Sequence, residues 1–275
     1  MAVEKVTSAS NTGQISISDI VQVKLRQNTV MAGIFRDLSV FASPGDKAVS
    51  FPRRTNSFTV QKLSGSQKGD DQESTFALDQ FNLDQEAHIQ WVIKKFDQAR
   101  AKVRILEESI DEAVFQHAKT LDLDLFTEMD DNVAVANVIT PAALTQDNVV
   151  DMITLANTIR MPKQDRAWIF GNGAFGALLK IDGFVDASKS NLDIVRTGMI
   201  GTLYGIPVFE SDSATTGTRY LVHRDAVGYA LGAAPELEDQ KAIEYGTGSR
   251  RWVMDQMYGY KTLNLGNLVV KQAAS

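Results

Sequence analysis

The segment from Val103 to Met129 is the longest uninterrupted helical pattern in the chain. Its apolar residues recur at spacings of three and four, which places them along one side of an α-helix, while acidic residues fill the other side. At about 1.5 Å per residue the helix is roughly 40 Å long, so it predicts a rigid element to which other parts attach. The apolar stripe consists of Val103, Leu106, Ile110, Val114, His117, Leu121 and Leu125.

The composition bounds the class of protein. The 275 residues are enough for one large domain or two ordinary ones, and the apolar fraction of 44% supports a buried core. The sequence contains no apolar run of about 18 residues, so no membrane span is predicted. The N-terminus lacks the apolar segment of a secretory signal. The absence of cysteine excludes disulfides and thiolate metal sites, and it is typical of a protein made in a reducing cytoplasm.

The net charge of −6 is unevenly distributed. Residues 1–60 carry 7 basic and 4 acidic side chains (+3), residues 61–150 carry 8 and 17 (−9), and the remainder carries 13 and 13 (0). The acidic middle argues against a dedicated nucleic-acid-binding face there. For the basic N-terminal part, docking on an acidic protein surface, such as the middle of another copy, is favoured over contact with nucleic acid.

A long hairpin is predicted directly before the helix, over residues 48–93. Val49 and Phe51 alternate on strand period, a polar stretch over 64–75 forms the tip, and alternation resumes toward Ile93. An isolated two-stranded ribbon is marginal in water, and its exposed apolar side chains favour aggregation. We therefore expect this arm to lie on another molecule. The alternative is that it folds back on its own domain.

Strands and helices alternate over residues 140–232, which predicts a compact α/β domain. Within it Gly171-Asn-Gly173-Ala-Phe-Gly176 follows a strand, opens a helix and matches the GxGxxG pattern of dinucleotide-binding proteins. The acid expected about 20 residues later would be Asp193, which follows no clear strand. A tight strand-to-helix turn is therefore preferred, and a nucleotide-binding enzyme that uses Gly171–Gly176 is the alternative.

The residues most often used in catalysis form no recognisable pattern. His88, His117 and His223 lack metal-binding spacing, and no GxSxG motif supports a catalytic triad. We predict a buried or interface role for His117, no metal, no cofactor and no enzymatic activity.

An acidic cluster lies near the C-terminal end of the predicted helix, where the helix dipole disfavours anions. One interpretation is a solvated helix end. The other is that these carboxylates pair with basic groups in this subunit or a neighbouring one, which makes them interface residues. The acidic run consists of Asp122, Asp124, Glu128, Asp130 and Asp131, of which the first three are the predicted interface residues, and the basic groups are Arg53, Arg54, Arg250 and Arg251.

The stretch Arg196–Asp212, with the sequence RTGMIGTLYGIPVFESD, is followed by YLVHRDAVGYA over Tyr220–Ala230. These segments resemble the major capsid proteins of tailed phages, those with the Hong Kong-type coat fold, and the order of elements is similar over nearly the whole chain. The resemblance implies an α+β fold with an N-terminal arm at 1–47, an extended β-hairpin (the E-loop) at 48–93, a peripheral domain with a spine helix at 94–139 and 233–275, and an α/β axial domain at 140–232.

The resemblance also implies a function. Such proteins self-assemble into pentamers and hexamers that form an icosahedral phage head around double-stranded DNA, and the procapsid matures by expansion. The implied partners are many copies of itself, a separate scaffolding protein, a portal, optionally a decoration protein and non-specifically contacted DNA, with no membrane. The implied location is the virion, assembled in the host bacterial cytoplasm. An encapsulin-type compartment shell is the alternative with the same fold.

Some relatives cross-link a lysine of the E-loop to an asparagine of a neighbour. Lys62 and Lys68 lie in the predicted hairpin, and the resemblance implies that they sit at the inter-subunit interface. No flanking motif marks either lysine as reactive, so we predict no cross-link.

Overall fold

The computed structural model describes residues 29–43, 45–54, 58–63, 68–95, 105–140, 143–181, 184–186, 199–263 and 268–273. Its α-helices are α1 (Met31–Ile34), α2 (Ile105–Asp131), α3 (Gln146–Thr158) and α4 (Phe175–Leu178). Its strands are β1 (Arg36–Asp37), β2 (Ala48–Arg54), β3 (Phe76–Asn82), β4 (Gln85–Ile93), β5 (Val138–Ile139), β6 (Arg166–Gly171), β7 (Phe184–Asp186), β8 (Met199–Leu203), β9 (Ile206–Ser211), β10 (Arg219–His223), β11 (Val227–Lys241), β12 (Arg250–Thr262) and β13 (Val269–Gln272). No helix among these residues is long and apolar enough to cross a membrane.

The long helix α2 confirms the element predicted from the periodicity and spans 27 residues. Val114, Leu121 and Leu125 of the apolar stripe are fully buried, whereas Leu106 near the N-terminal end is half-buried. Val103 lies outside the described residues. The helix therefore becomes more deeply embedded toward its C-terminal end, where most of its neighbours converge.

The helix packs on a four-stranded sheet with the order β1-β11-β12-β4. The antiparallel pair β11 and β12 forms its centre, and β4 runs along the other side of β12 from Gln85↔Tyr258 to Ile93↔Arg250. Met254 of β12 lies against Val114 of the helix in a small apolar cluster. The β11–β12 pair, which would be only marginally stable by itself, is thus stabilised by β4 and by helix α2.

The hairpin predicted over residues 48–93 is shorter than expected. Strands β2 and β3 pair with each other from Ala48↔Asn82 to Arg54↔Phe76, but β4 pairs with β12 instead. Alternation with period two is the same in a free ribbon and in a strand of a larger sheet. In β4 it places the partly buried Ile89 and Trp91 on the cluster beneath α2, and this burial fixes the strand there.

The second large sheet has seven strands in the order β5-β13-β10-β6-β9-β8-β7. Helix α3 covers one face through Val149, Met152 and Ala156. Thr145 begins this helix, because its side chain accepts a hydrogen bond from the Asn148 N–H at 3.4 Å. The predicted strand–helix alternation is therefore present in this part of the chain.

Two strands lie in a different sheet from the one that the predicted domain boundaries imply. Strand β11 starts at Val227 and belongs to the four-stranded sheet, whereas the prediction places 227–232 in the α/β domain. Strand β13 pairs with β10 in the seven-stranded sheet, whereas the prediction places 233–275 in the other domain. The short 3-10 helix Arg224–Ala226 carries the chain from one sheet to the other, so the change of sheet occurs there.

The predicted N-terminal arm, 1–47, is only partly described. Residues 1–28 lie outside the described residues. From Thr29 onward the chain is packed, because Met31, Ile34 and Phe35 are buried in the same apolar cluster as the C-terminal half of α2. Leu38 is also buried, in a second cluster with Val49 and Phe81 of the hairpin.

The base of the hairpin is fixed against β12 by a close backbone approach. At Gly259 an added Cβ would lie 2.1 Å from the carbonyl oxygen of Asn82. Next to it Lys261 Nζ donates hydrogen bonds to Asp79 Oδ1 at 2.9 Å and to the Gln80 carbonyl at 3.0 Å. The hydrogen bond from Lys261 and the nearby Arg53 lower the pKa of Asp79. The hairpin is therefore anchored at one end and projects from that anchor.

We expect Gly259→Ala to lower the free energy of unfolding by about 2 kcal/mol or more, because the methyl group overlaps a backbone oxygen that cannot move alone. Urea unfolding of the unassembled subunit measures this. Gly33→Ala is the matched control, since nothing lies within 4 Å of its Cβ position in α1, and it should be neutral or slightly stabilising. Equal midpoints for both variants would contradict the close approach.

Candidate functional site: assembly surfaces and the acidic end of the long helix

Asp122 lies in the C-terminal half of α2 and binds the start of α1. Its Oδ2 accepts a hydrogen bond from the Val30 N–H at 2.7 Å, and its Oδ1 accepts from the Met31 N–H at 3.1 Å and the Ala32 N–H at 3.5 Å. Burial raises the pKa of Asp122 to about 6, and the three backbone donors offset part of that rise. The carboxylate thus satisfies backbone donors of a segment 90 or more positions away.

Asp124 and Glu128 are four positions apart, which places them on one side of the helix, and both bind β12. Asp124 accepts a hydrogen bond from the Tyr258 hydroxyl at 2.6 Å. Glu128 Oε1 accepts from the Thr262 N–H at 2.9 Å and from the Thr262 hydroxyl at 2.8 Å. Burial and the hydrogen bond to Asp124 raise the pKa of Tyr258, so the phenol remains the donor.

Asp130, near the end of the helix, binds the other sheet. It accepts a hydrogen bond from the Tyr220 hydroxyl of β10 at 3.0 Å and pairs with Lys271 of β13. Burial and the adjacent Asp130 raise the pKa of Tyr220. Together the four carboxylates of α2, Asp122, Asp124, Glu128 and Asp130, connect one helix to α1, to the four-stranded sheet and to the seven-stranded sheet.

These contacts concern the prediction about the acidic cluster only within one subunit, and pairing of the cluster with a neighbouring copy stays a prediction. Within the described residues, Asp122, Asp124 and Glu128 pair with backbone N–H groups and hydroxyls of their own subunit. They do not pair with Arg53, Arg250 or Arg251 there. The physical reason is that each carboxylate is partly buried and needs a local donor, which the packed elements supply.

The predicted basic contact residues have other partners. Arg53 pairs with Asp79 at 3.4 Å, Arg250 pairs with Asp239, and Arg251 pairs with Glu244. Exposed ion pairs contribute about 0–1 kcal/mol, so these arginines can exchange partners easily. Their contact with a neighbouring copy stays a prediction. The side chain of Arg54 lies outside the described residues.

Lys62 and Lys68 are exposed in the distal part of the hairpin. In this part the two arms are joined through glutamine side chains. The Thr59 N–H donates to Gln72 Oε1 and the Gln72 amide donates to the Thr59 carbonyl, both at 2.7 Å. Gln61 Oε1 accepts from the Asp70 N–H at 2.8 Å. A role of the two lysines in an interface stays a prediction.

The hairpin has one buried face and one exposed apolar face. Val49, Phe51 and Phe81 point into the apolar cluster at its base. On the opposite face of β3, Phe76 and Leu78 are 64% and 77% exposed. Further along the hairpin three more apolar residues are over half exposed, namely Phe58, Val60 and Leu63. Several exposed apolar side chains on one element are typical of a segment that contacts another protein.

The glycine motif Gly171–Gly176 has a structural explanation. A Cβ at Gly171 would lie 2.2 Å from the Thr215 carbonyl oxygen, so the first glycine permits a close chain crossing. The Gly173 N–H, which would face a phosphate in a nucleotide site, donates to Glu210 Oε1 at 2.7 Å. The helix that follows has only four residues. A carboxylate in the anion position does not fit the nucleotide-binding alternative. Asp193 lies outside the described residues.

The three histidines differ in burial and in their hydrogen-bond partners. His117 is buried on the stripe of α2, and burial lowers its pKa, with the nearby backbone of Met254 offsetting part of that effect. His88 is exposed and pairs with Asp255. His223 is buried and its Nδ1 accepts a hydrogen bond from the Asp225 N–H at 3.1 Å. His117 thus has the buried position that its place in the periodicity predicts.

No family model and no curated protein matches the sequence. Solved structures do match it over most of its length. The capsid of Ralstonia phage GP4 has a TM-score of 0.69 at 8% identity, covering 88% of this chain and 87% of that chain. A structure from Mycobacterium phage Che8 has a TM-score of 0.64 at 20% identity, covering 89% and 90%. The capsid of cyanophage P-SCSP1u has a TM-score of 0.60 at 14% identity, covering 100% and 92%.

The chain has the fold of tailed-phage major capsid proteins. This confirms the α+β Hong Kong-type fold class expected from Arg196–Asp212 and from the order of elements. Identities of 8% and 20% mean that the capsid fold is kept while the side chains differ. The contacts of this capsid-fold chain must therefore be read from its own residues.

We expect Glu128→Ala to lower the free energy of unfolding by about 2 kcal/mol, because it leaves the buried Thr262 N–H without its acceptor and leaves the Thr262 hydroxyl only the longer contact with the Glu128 carbonyl at 3.5 Å. Asp131→Ala is the control. Asp131 is exposed at the end of the same helix, so its removal should change stability by less than about 0.5 kcal/mol. Urea unfolding of the two variants compares them. Similar losses, or none for Glu128→Ala, would contradict the anchoring role.

We expect the pH dependence of stability to contain a contribution from Asp122. Its pKa of about 6 in the folded chain lies above the value of 3.8 for a free carboxyl. The contribution is fully present below the unfolded value and is lost as pH rises through about 6. Between pH 7 and pH 5 the native chain should therefore gain roughly 1 kcal/mol relative to Asp122→Asn.

Urea unfolding at a series of pH values measures this difference. The amide oxygen introduced by Asp122→Asn can still accept backbone hydrogen bonds, so the variant is expected to fold. Asp131→Asn removes an exposed carboxyl of the same helix and should retain the native pH dependence. A native chain and an Asp122→Asn variant with parallel pH profiles would refute the contribution.

Proposed function

We propose that this chain is the major capsid protein of a tailed phage, a structural subunit that self-assembles into the pentamers and hexamers of an icosahedral head. The observation that carries the proposal is the extent of the structural match. The likeness extends over 87% of the capsid chain of phage GP4 and 92% of that of cyanophage P-SCSP1u. A match over most of both chains supports a single capsid-type subunit rather than a shared local motif.

The shape of the subunit supports assembly. The hairpin β2–β3 is anchored at Gly259 and exposes Phe76 and Leu78 on one face. Exposed apolar side chains on a projecting ribbon are unfavourable in an isolated chain. A second copy of the chain buries them, and this corresponds to the role of the E-loop in the Hong Kong-type fold. The long helix α2 then corresponds to the spine helix.

The chemistry of the subunit supports a structural rather than an enzymatic role. The glycine motif Gly171–Gly176 is used for a chain crossing, and Glu210 occupies its backbone donor. Several charged side chains of α2 form hydrogen bonds or ion pairs with other elements of the same subunit. Assembly is accordingly the activity that we assign to it.

The proposed partners follow from this assignment. They are many copies of the chain, a separate scaffolding protein, a portal, optionally a decoration protein and packaged double-stranded DNA. The net charge of −6 suits non-specific contact with DNA, because a net acidic subunit avoids tight binding of the genome. The proposed location is the virion, after assembly in the cytoplasm of the bacterial host.

We expect the double variant Phe76→Ser, Leu78→Ser to assemble poorly while the subunit remains folded. Both side chains are largely exposed, so their replacement removes little packing from the isolated subunit and most of the apolar contact with a second copy. Light scattering and negative-stain electron microscopy measure assembly, and urea unfolding measures the fold. Particle yield should fall at least tenfold with an unchanged unfolding midpoint.

Gln80→Ser is the matched control, because Gln80 is exposed on the same face of β3 but is polar. It should assemble like the native chain. A double variant that forms native particles would contradict the role of the hairpin. Nuclease-protected DNA in particles made during infection is expected from a phage head, whereas particles that hold protein cargo would favour an encapsulin-type shell.

A further inference from the structure

Three residues other than glycine have a positive φ in the described part of the chain. They are Arg160 (57°), Asp165 (54°) and Tyr204 (52°). All three lie at one end of the seven-stranded sheet. Arg160 and Asp165 are in the loop before β6, and Tyr204 is in the turn before β9. Strands β6 and β9 are parallel neighbours, paired at Trp168↔Val208, so their starting ends lie side by side. Backbone strain of this kind concentrates at functional sites.

Two of the three residues have local explanations. Arg160 is the second residue after helix α3, and the next residue, Met161, donates its N–H back to the Ala156 carbonyl at 2.9 Å. This is the left-handed ending that satisfies the last carbonyls of a helix. Aspartate adopts the left-handed region more easily than most residues, which accounts for Asp165. Neither residue requires a role outside the subunit.

Tyr204 has no such explanation. Leu203 pairs with Ile206, so Tyr204 and Gly205 form a two-residue turn, and their φ angles of 52° and 78° are those of type I′. Both positions of this turn favour glycine, asparagine or aspartate. Tyrosine is bulky, and its side chain is 40% exposed. No hydrogen bond of its hydroxyl is present within the described residues. Within the described residues, therefore, no hydrogen bond of this side chain offsets the strain of the turn.

We propose that Tyr204 is a contact residue between copies of this chain, and that the strained turn is kept because it presents the ring to a second copy. Tyrosine is enriched in the buried centres of protein interfaces. The neighbouring loop exposes Arg160, Lys163 and Asp165, which carry both signs of charge. Charges of both signs around an aromatic residue can pair with charged groups on a different face of the next copy, which is the head-to-tail contact that a ring of identical subunits requires. This inference rests on the proposed function.

The variant Tyr204→Asn separates an interface role from a structural one. Asparagine fits the left-handed region, so the turn relaxes and the urea midpoint of the unassembled subunit should rise. The contact with a second copy is lost, so the concentration at which particles form should rise at least tenfold. Tyr204→Phe keeps the ring and should assemble like the native chain. A residue that serves only the fold cannot give higher stability together with weaker assembly.

Two results would overturn the inference. One is a Tyr204→Asn variant that assembles at the native concentration. The other is a variant with a lower urea midpoint, which would make the ring a packing residue of its own sheet. If the native chain forms no particles at all, the proposed function fails first. Sedimentation equilibrium of native and Tyr204→Asn chains then decides the inference, because an unchanged self-association constant would refute it.

Discussion

Four carboxylates in the C-terminal half of one helix connect the parts of this subunit. Glu128 and Asp130 lie in the last turn, where the helix dipole disfavours negative charge by about 0.3–1 kcal/mol each at an exposed site. Glu128 offsets this penalty through Thr262 of β12, and Asp130 offsets it through β10 and β13. Hydrogen bonds to charged groups contribute roughly 1.5–3 kcal/mol each, so these contacts outweigh the dipole. Asp124, farther from the helix end, accepts from Tyr258, and three backbone donors at the start of α1 offset part of the cost of burying Asp122.

The arrangement divides the subunit into fixed and projecting parts. Both sheets and α1 meet at the end of α2 that carries these carboxylates, and the apolar cluster there is the larger of the two that α2 contributes to. The hairpin is attached at its base, where Asn82 crosses Gly259, and its distal arms are joined through Gln61 and Gln72. A firm base with a less regular distal part is suited to a segment that binds another copy after the subunit has folded.

Local elements can be predicted from the sequence, whereas the long-range pairing between those elements is predicted much less well. Helix α2 is predictable because its 3.6-residue period is continuous from Leu106 to Leu125. The predicted hairpin is too long because period two does not distinguish a ribbon from β4 in a larger sheet. The partners of Asp122, Asp124 and Asp130 lie 92, 134 and 141 positions away, and no local pattern encodes such pairings. For Tyr258, the sequence indicates its place on one face of a strand but does not indicate its hydrogen bond to Asp124.

The proposed capsid assignment joins these features, because it supplies other copies of the chain to cover the exposed apolar side chains of the ribbon and the strained, exposed tyrosine. Cryo-electron microscopy of the native chain, expressed alone and concentrated, tests this most directly. We expect shells, tubes or free capsomers, with the face of Phe76 and Leu78 covered by a neighbouring subunit. A chain that stays a monomer or dimer at every concentration, with that face open to solvent, would contradict the assignment.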